Sequence, residues 1–432
     1  MIQAPAPPEP TVRPHPVLPG PQRQRPAGAA RLWRALWAWL VSLARRRPRP
    51  LPYIPPGVVA VIIPAHNEAA VIAATLRSVL RVHHPADIYV FCDGCTDATV
   101  PLARRYLPYG NVIDHRQNIG KSRGLEYTLN TYVFPRRYYD ATIVDADSTM
   151  EPQFLVASLR ALRRRNVACV VGQVKARWYG DNIISVYRTY TYTMWHVILK
   201  RLQSALHAVS VASGTATTWK VRVLRQVAFD HELSTEDIDL TFQVHRRRLG
   251  AIKYVPSAVV WTQDPQTMAS YRRQITRWYR AWWEGMRKYY VGIRWVQAGG
   301  GRLRLSLFDV SMLLTMLDMA VCFISALLLP ALVLHPVEMD LRIVVLNTRF
   351  AVLYFFLWQY CTTIASALLV AVITGRPRVL AYSPLFIFFL YMDAVIHVRT
   401  LASTARSLYR KGAEVAGAPL SAWASPERRS EN

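Results

Sequence analysis

Two aspartates, Asp145 and Asp147, stand two residues apart directly after an apolar run of the 432-residue sequence. If this segment is extended, side chains two residues apart point to the same side of the chain. Carboxylates placed in this way suit Mg²⁺ or Mn²⁺, and with the metal they could reach a diphosphate. The triplet alone is a common chance pattern, and its place after a predicted buried strand makes it a candidate metal site.

Three acids fall within four residues of the segment STEDIDL, at Glu236, Asp237 and Asp239. An acid beside a bound nucleotide can serve as a general base. A structural alternative is open, because Thr235 followed by acids is typical of a helix N-terminus, where both features are stabilising. Taken alone, the segment favours this structural interpretation.

The segment QITRW combines an amide, a guanidinium and an indole, at Gln274, Arg277 and Trp278. An arginine suits phosphate, and a tryptophan can stack on the apolar face of a sugar or of another ring. The alternative is a helix at a membrane surface that contains these residue types by chance. The segment NIGKSRG, residues 118–124, has the composition of a phosphate loop, but it lacks the P-loop spacing, which excludes an ATPase.

The elements that must position these residues alternate between apolar strands and helices. The predicted strands are residues 58–64, 88–93, 111–115, 141–147 and 168–175, and the predicted helices between them are 69–82, 96–106 and 122–131. This alternation indicates an α/β fold with a mostly parallel sheet. Ligands of such folds bind at the carboxyl ends of the strands. Polar residues fall at those ends, namely His66, Asn67, Glu68, Asp93, Asp145 and Asp147.

Residues 1–56 form a proline-rich arm that is predicted to be disordered. Fourteen of the 28 prolines fall in it, so it cannot bury a core. Within the arm, residues 31–47 place tryptophan and leucine at helical spacing between arginines, and their apolar run is too short to span a bilayer. This pattern indicates an amphipathic helix at a membrane surface. The alternative is a helix that packs on the protein's own surface.

The remainder divides into a cytoplasmic domain at 57–262, interfacial helices at 263–302, a membrane domain at 303–402 and a basic tail at 403–432. Three apolar stretches, at about 305–334, 343–373 and 379–400, are each long enough to span a bilayer. The acidic loop HPVEMDLR is predicted to be external and the basic loop GRPR internal. Three spans place the basic tail outside. Either the third stretch is re-entrant or the charge rule is broken.

Acidic residues inside the apolar stretches are costly and usually face a cavity or a partner. Asp309, Asp318 and Asp393 are of this kind, and His397 follows Asp393 by one helical turn. Two interpretations stay open for them. One is a polar path through the membrane, and the other is a hydrogen bond between helices.

The net charge of +26 comes mostly from arginines that stand beside aromatic residues near the apolar segments. This distribution favours a surface of anionic lipid over nucleic acid, and no nucleic-acid-binding module accompanies it. The five cysteines are odd in number and lack the spacing of a disulfide framework. Cys92 and Cys95 form a lone CxxC. We therefore expect a reducing, cytoplasmic setting for the α/β domain.

Taken in order, the segments PAHNE, CDGCTD, GKSRGL, DAD, SGT, TEDIDLT and QITRW, followed by apolar spans, resemble the processive family 2 glycosyltransferases. That family includes cellulose, chitin, hyaluronan and poly-N-acetylglucosamine synthases, and TEDIDLT looks most similar to the last. The resemblance covers about residues 57–400. The chain departs from the family pattern at Cys92, where a second acid normally precedes Asp93, and at Cys95, where a small residue is usual.

The resemblance implies a GT-A type domain, with helices on both faces of the sheet, in the plasma (inner) membrane. It implies an inverting hexosyltransferase that uses Mg²⁺ or Mn²⁺ to transfer sugar from a UDP-sugar, preferably UDP-N-acetylglucosamine, to a growing β-linked polysaccharide. Translocation of the product and small membrane or export partner subunits are also implied. The alternative is a transferase that adds one sugar to a lipid-linked or short acceptor.

The resemblance also implies a role for each candidate residue. On the donor side, the residues implied to contact the nucleotide-sugar are Pro64, His66, Glu68, Asp93, Lys121, Asp145, Gln274 and Arg277, with Asp145 and Asp147 at the metal. On the acceptor side, the implied residues are Ser213, Gly214, Thr215, Glu236 and Trp278, and Asp237 is the general base. Asp93 would face the uracil, and Trp278 would stack under the acceptor sugar.

Overall fold

The computed structural model describes residues 54–177, 180, 182–291, 306–317, 340–343 and 348–410. Almost all of the predicted arm, with its helix at 31–47, lies outside the described residues. The same holds for Asp318, for most of the first apolar stretch and for most of the basic tail.

An eight-stranded sheet forms the centre of the described domain. Its strands are β1 Val59–Ala65, β2 Ile88–Asp93, β3 Val112–His115, β4 Asp140–Ile143, β5 Ser148–Met150, β6 Val167–Ala176, β7 Thr217–Lys220 and β8 Ala251–Thr262. They lie in the order β3-β2-β1-β4-β7-β6-β8-β5. The pairs among the first four strands are parallel, and so is β6 with β8, whereas β7 is antiparallel to both neighbours and β5 to β8. The predicted mostly parallel α/β sheet is confirmed, although the sequence did not identify β5, β7 and β8.

Helices fill the connections between the strands. They are α1 Ile72–Leu80, α2 Thr99–Arg104, α3 Lys121–Thr128, α4 Phe154–Leu162, α5 Ile183–Tyr192, α6 Lys200–Ala205, α7 Val221–Leu224, α8 Glu236–Arg246 and α9 Met268–Met286. The three predicted helices are present; the first two have narrower bounds, and the third begins one residue earlier and ends three residues earlier than predicted. A π-helical segment, Thr193–Leu199, joins α5 to α6, so these elements form one continuous helical unit.

Strand β1 shows why the sheet is covered on both faces. Its residues are all buried, as its continuous apolar run predicted. Because successive side chains point to opposite faces, Val61 and Ile63 pack in one core with Leu76 of α1, and Ile62 packs in a second core with Leu125 of α3. Two apolar layers therefore sandwich the sheet.

The C-terminal part contains α10 Leu307–Leu317, β9 Asp340–Ile343, β10 Thr348–Ala351, α11 Val352–Thr374, α12 Arg378–Tyr382 and α13 Phe386–Arg410. Among the described residues, two segments are long and apolar enough to cross a membrane, Leu357–Thr374 and Arg378–Arg406, by length and composition only. The second predicted stretch is wrong at its start, because β10 occupies residues 348–351 and the helix begins at Val352. Several large apolar side chains of these two segments are exposed, among them Leu357, Trp358, Val372, Ile373 and Phe388.

Two of the acids in the apolar stretches have protein partners. The hydroxyls of Tyr187 and Tyr271 donate to the carboxylate of Asp393 at 2.9 to 3.1 Å. Asp309 accepts from Ser306 at 2.6 Å and forms an ion pair with Arg246 at 3.0 Å. These contacts favour the interpretation that both acids bind neighbouring elements of the protein.

Candidate functional site

The DAD triplet forms a turn beyond the end of β4. The amide of Ser148 donates to the carbonyl of Asp145 at 3.0 Å, so the expectation of an extended segment is wrong. The turn separates the two carboxylates by environment. Asp147 is buried, and it accepts from the hydroxyls of Ser148 at 2.9 Å and Thr262 at 3.4 Å. The side chain of Asp145 is 34 % exposed and faces the other candidate residues.

Lys121 connects the DAD turn to the TED segment. It is the first residue of α3, and its ammonium lies 2.7 Å from Asp145 and 3.0 Å from Glu236. Burial lowers the pKa of Lys121, but the charges of Asp145, Glu236 and Asp237 outweigh burial and raise the pKa above its ordinary value. Lys121 is therefore charged throughout the neutral range, and it allows the carboxylates to share one site.

Gly214 of the SGT segment lies at the centre of the same group. Its amide donates to one carboxylate oxygen of Asp237 at 3.1 Å, and the amide of Ile238 donates to the other at 2.8 Å. A Cβ on Gly214 would stand 3.0 Å from the Lys121 ammonium and 3.1 Å from a Glu236 oxygen. A glycine at this position allows the backbone to approach the Asp237 carboxylate. Four separate sequence segments, GKSRG, DAD, SGT and TED, thus meet at one place.

The neighbours of Gly214 fix the rest of the SGT segment. The hydroxyl of Thr215 donates to Ser148 at 2.7 Å and accepts from the amide of Asp145 at 3.3 Å. Ser213 accepts from the ammonium of Lys200 at 2.6 Å. Burial lowers the pKa of Lys200 to about 7, although the charge of Asp237 opposes the shift.

The third acid of STEDIDL has a structural role. Asp239 is buried and accepts from Lys288 at 2.6 Å, Tyr289 at 2.5 Å and Gln243 at 2.7 Å. Thr235 stands at the N-cap of α8, but its side chain makes no capping hydrogen bond. The three acids stand in the first turn of the helix, as the structural interpretation predicted, but without a Thr235 cap. Glu236 and Asp237 face the candidate site, whereas Asp239 binds the segment that follows α9.

The residues expected at the nucleoside line the ends of β1 and β2. Asp93 is fully buried and accepts from the amides of Ile119 at 2.7 Å and Gly120 at 2.8 Å, so it holds the loop that leads into α3. The Nδ1 atom of His66 lies 2.5 Å from the carbonyl oxygen of Asp93. Glu68 is buried, and its amide donates to Thr99 at 2.8 Å.

Pro64 occupies a strand position that tolerates its missing N–H. It pairs with Phe91 of β2, whereas the pairing of β1 with β4 ends at Ile62. On the β4 side no ladder bond is lost at Pro64. Pro64 thus lies near the carboxyl end of β1, and His66 and Glu68 follow that end directly.

Arg188 of α5 contacts both Trp278 of α9 and Asp264, which follows β8. Its guanidinium carbon lies 4.7 Å from the centre of the Trp278 indole, and it forms an ion pair with Asp264 at 3.5 Å. Arg188 and Asp264 are both buried. Burial raises the pKa of Asp264 to about 6, against the effect of Arg188, and the charge of Asp147 adds to the rise. Trp278 thus packs on a buried arginine whose partner, Asp264, is close enough to Asp147 to be affected by its charge.

The other QITRW residues are less closely integrated. Arg277 is exposed on α9, and the side-chain oxygen of Gln274 is buried without a partner among the described residues. Among the described residues, no hydrogen bond joins Gln274 or Arg277 to the DAD, SGT or TED segments.

Sequence reasoning missed Lys200, Arg188 and Asp264. The first two lie in the helical unit of α5, the π-helical segment and α6, and Asp264 follows a strand that was not predicted. None of the three belongs to a motif.

The DAD residues fit a divalent cation by the chemistry of their donors. Among the residues that the structure describes, no group of three or more His, Cys, Asp or Glu could hold a metal ion. Mg²⁺ needs fewer protein ligands when a substrate diphosphate supplies others, and one or two carboxylates then suffice. Asp145 and Asp147 meet this lesser demand.

Comparison with known proteins places the α/β domain in a family. The model of the family described as glycosyltransferase like family 2 matches residues 55–281, which is more than half of the chain. Poly-beta-1,6-N-acetyl-D-glucosamine synthase of Staphylococcus epidermidis is 24% identical over 284 residues, covering 64% of this chain and 66% of the relative. The enzyme of that name from Staphylococcus aureus (strain COL) is 27% identical over 223 residues, covering 50% and 52%.

This chain therefore spans between half and two thirds of the length of these curated relatives. Among solved structures, the mannosyltransferase PcManGT from Pyrobaculum calidifontis, in complex with GDP-Man and Mn²⁺, superposes with a TM-score of 0.49 at 15% identity. That superposition covers 86% of this chain and 96% of PcManGT, and the score is too low to support an assignment. On the family match, the described α/β domain is a GT-A-like glycosyltransferase domain, and the chain belongs to glycosyltransferase family 2, as the order of its motifs predicted.

Proposed function

We propose that this chain is an inverting, metal-dependent hexosyltransferase that extends a β-linked polysaccharide from a UDP-sugar donor. UDP-N-acetylglucosamine is the preferred donor. Family membership supports the transfer of sugar, and two curated relatives named as polysaccharide synthases support the polymeric product.

One observation carries the proposal, which is the contact of Lys121 with both Asp145 and Glu236 beside Asp237. It brings the expected nucleotide side and the expected base to the carboxyl edge of the sheet, where ligands of α/β folds bind. A donor diphosphate at the DAD turn would then present its sugar toward Asp237.

In the proposed reaction, Asp237 accepts the proton of the acceptor hydroxyl, whose oxygen bonds to C1 of the donor sugar. The bond between C1 and the diphosphate oxygen breaks, and UDP leaves with the electron pair. Attack from the face opposite the leaving group inverts the configuration. Asp145 and Asp147 would hold Mg²⁺ or Mn²⁺, which when bound neutralises the charge that develops on the diphosphate.

The remaining residues would position the two substrates. Pro64, His66, Glu68 and Asp93 would border the nucleoside, and Gln274 and Arg277 would hold the diphosphate after α9 adjusts toward it. Ser213, Gly214, Thr215 and Glu236 would border the acceptor. Trp278 would stack on the acceptor sugar, and its ring is already held by Arg188.

We further propose that the chain works in the plasma (inner) membrane, with 57–262 cytoplasmic, 263–302 interfacial and 303–402 in the bilayer. The two apolar segments Leu357–Thr374 and Arg378–Arg406 support this placement. A polymer made at the edge of such a domain would be translocated between the helices, with small partner subunits where export requires them. The rival proposal is single addition to a lipid-linked or short acceptor, and QITRW favours the processive reaction.

The proposal is tested with purified full-length protein in nanodiscs, Mg²⁺ or Mn²⁺, and labelled UDP-N-acetylglucosamine, UDP-glucose or UDP-glucuronate. Product is sized on a gel. We expect a high-molecular-weight product from one donor, and the Asp237→Asn variant should lose at least about a hundredfold in rate while it still binds UDP.

Discrete short or lipid-soluble product would favour single addition. A wild-type rate in Asp237→Asn would refute the assignment of the base. Transfer that continues unchanged in excess EDTA would refute metal dependence.

A further inference from the structure

Lys200 is a buried cation at the acceptor side of the site. It begins α6, directly after the π-helical segment Thr193–Leu199, and it is 5% exposed. Its ammonium donates to Ser213 at 2.6 Å, and no carboxylate of the described chain lies within ion-pair distance of it. Burying an ammonium without a paired carboxylate costs free energy, which indicates that Lys200 has a role at this place.

The groups that face Lys200 come from three elements. Asp237 of α8 and Cys169 of β6 favour its charged form, and burial disfavours it. His196, one helical turn before it, is buried, and the positive charge of Lys200 helps to lower the pKa of this imidazole, after burial itself. His196 is therefore neutral, and the carboxylate of Asp237 is the negative charge that most favours the ammonium form of Lys200.

A short chain of contacts links Lys200 to that carboxylate. Lys200 holds Ser213, and the next residue, Gly214, donates its amide to Asp237 at 3.1 Å. The backbone of Gly214 lies close to Lys121 and Glu236, since a Cβ at this position would stand 3.0 Å from the ammonium and 3.1 Å from a carboxylate oxygen. The ammonium thus acts on Asp237 in two ways, by its charge and by fixing the turn that orients the carboxylate.

We propose that Lys200 is a positioning residue, whose charge attracts the Asp237 carboxylate and whose hydrogen bond to Ser213 fixes the turn that aims this carboxylate at the acceptor hydroxyl. The proposal rests on the proposed role of Asp237 as general base. It assigns to the segment between α5 and α6 a part in catalysis that no motif of the sequence indicates.

A dependence on pH follows. Lys200 carries its charge below about pH 7 and is neutral well above it. Its attraction for the Asp237 carboxylate is therefore greatest on the acidic side. Above that range, the enzyme works without the charge of Lys200.

The test compares wild type with Lys200→Met, which keeps the length of the side chain and removes the charge. Arg201→Met is the matched control, because Arg201 is the next residue and is exposed. Initial rates of UDP release are measured across the pH range with the full-length protein in nanodiscs. We expect the acidic limb of kcat in Lys200→Met to move up by about one pH unit, so that the rate on that limb falls about tenfold.

At alkaline pH the two enzymes should differ only by the smaller loss that follows from the missing hydrogen bond to Ser213, and the KM for the UDP-sugar should stay within about twofold of wild type. Arg201→Met should follow the wild-type profile. A loss of rate that is equal at every pH would assign Lys200 a packing role and overturn the proposal, and so would an unshifted profile.

A second measurement is independent of turnover. With a folded-state pKa of about 7, below the unfolded value, Lys200 binds fewer protons in the folded state than in the unfolded state above that pH. Wild-type stability then rises with pH. Lys200→Met lacks the cost of burying this charge, so we expect it to have the higher Tm near neutral pH. The two Tm values should converge as pH rises toward 10. A pH-independent difference in Tm would overturn the proposal. If wild type transfers no sugar, the proposed function fails, and the Tm series alone then decides the state of Lys200.

Discussion

At the scale of single residues, charge balance explains why Lys121 lies where it does. Asp145, Glu236 and Asp237 place three negative charges around one lysine, and Asp147 adds a fourth behind the DAD turn. Like charges this close destabilise one another unless a cation compensates them. Lys121 compensates part of the charge, and a divalent cation at Asp145 and Asp147 would compensate most of the rest. The geometry therefore suits a site that is completed by metal and substrate.

Gly214→Ala tests how closely these charges are packed. The new methyl would stand 3.0 Å from the Lys121 ammonium and 3.1 Å from Glu236, so the ion pair must give by a few tenths of an ångström beside Asp237. We expect kcat to fall by about tenfold or more, with a Tm change of only a few degrees.

Gly110→Ala is the matched control, because a Cβ there meets no atom within 4 Å. For both variants, kcat is measured by steady-state kinetics and Tm by thermal unfolding. Full activity in Gly214→Ala would show that the approach of this backbone to Asp237 is unimportant for transfer.

At the scale of elements, α5 and α9 connect the catalytic edge of the sheet with the apolar helices. Tyr187 of α5 and Tyr271 of α9 pack in one apolar cluster with Val370 of α11 and Phe389 of α13. The same two helices carry Arg188 and Trp278 toward the site. A displacement of α13 would thus be transmitted to the residue proposed to stack on the acceptor.

Asp393→Ala tests whether this acid joins helices. The change leaves the hydroxyls of Tyr187 and Tyr271 without their acceptor, which costs about 1–3 kcal/mol and should lower the Tm by several degrees. Tyr271→Phe should add little when combined with it, because both changes break the same bond.

Tyr391→Phe removes a tyrosine hydroxyl from the same helix, α13, and serves as the control. Thermal unfolding in detergent and polymer synthesis are measured side by side. An unchanged Tm together with slower polymer formation would instead support the polar path through the membrane.

At the scale of the whole molecule, the chain combines an α/β domain with an apolar hairpin formed by α11 and the helices that follow it. Trp358 and Val372 are 70% and 69% exposed on α11, and Phe388 is 69% exposed on α13. Large apolar side chains exposed over this length are unfavourable in water and favourable in lipid. This pattern supports the proposed membrane placement more directly than hydropathy alone.

Cys361 provides a test of that placement, because it is exposed on α11 within the segment Leu357–Thr374. In nanodiscs we expect a membrane-impermeant maleimide to leave Cys361 unlabelled, since lipid covers it, and to label it fully after denaturation in SDS. Peptide mass spectrometry assigns the label to each cysteine.

A cysteine introduced by Pro377→Cys, at an exposed position just beyond this segment, should be labelled without denaturation. Equal labelling of both positions in nanodiscs would show that α11 does not lie in the bilayer.

Local patterns in the sequence were sufficient for much of the result. The buried run of β1, the strand β2 and the motif order that identified the family all depend on neighbouring residues, whose hydrophobicity and spacing are visible in the chain. The same is true of Asp145, Asp147 and Asp237 as candidates. The sequence could not exclude a purely structural role for the TED acids, because an N-terminal helix turn has the same composition.

Only the tertiary structure decided which of these residues meet. Lys121 and Glu236 are more than a hundred positions apart, and they form an ion pair because the carboxyl end of the sheet brings α3 and α8 together. The same reason applies to Lys200 and to Arg188 with Asp264, whose significance comes from burial and from partners distant in the sequence. Pattern and composition determine which residues can perform a chemistry, but long-range packing determines their distances, charges and protonation.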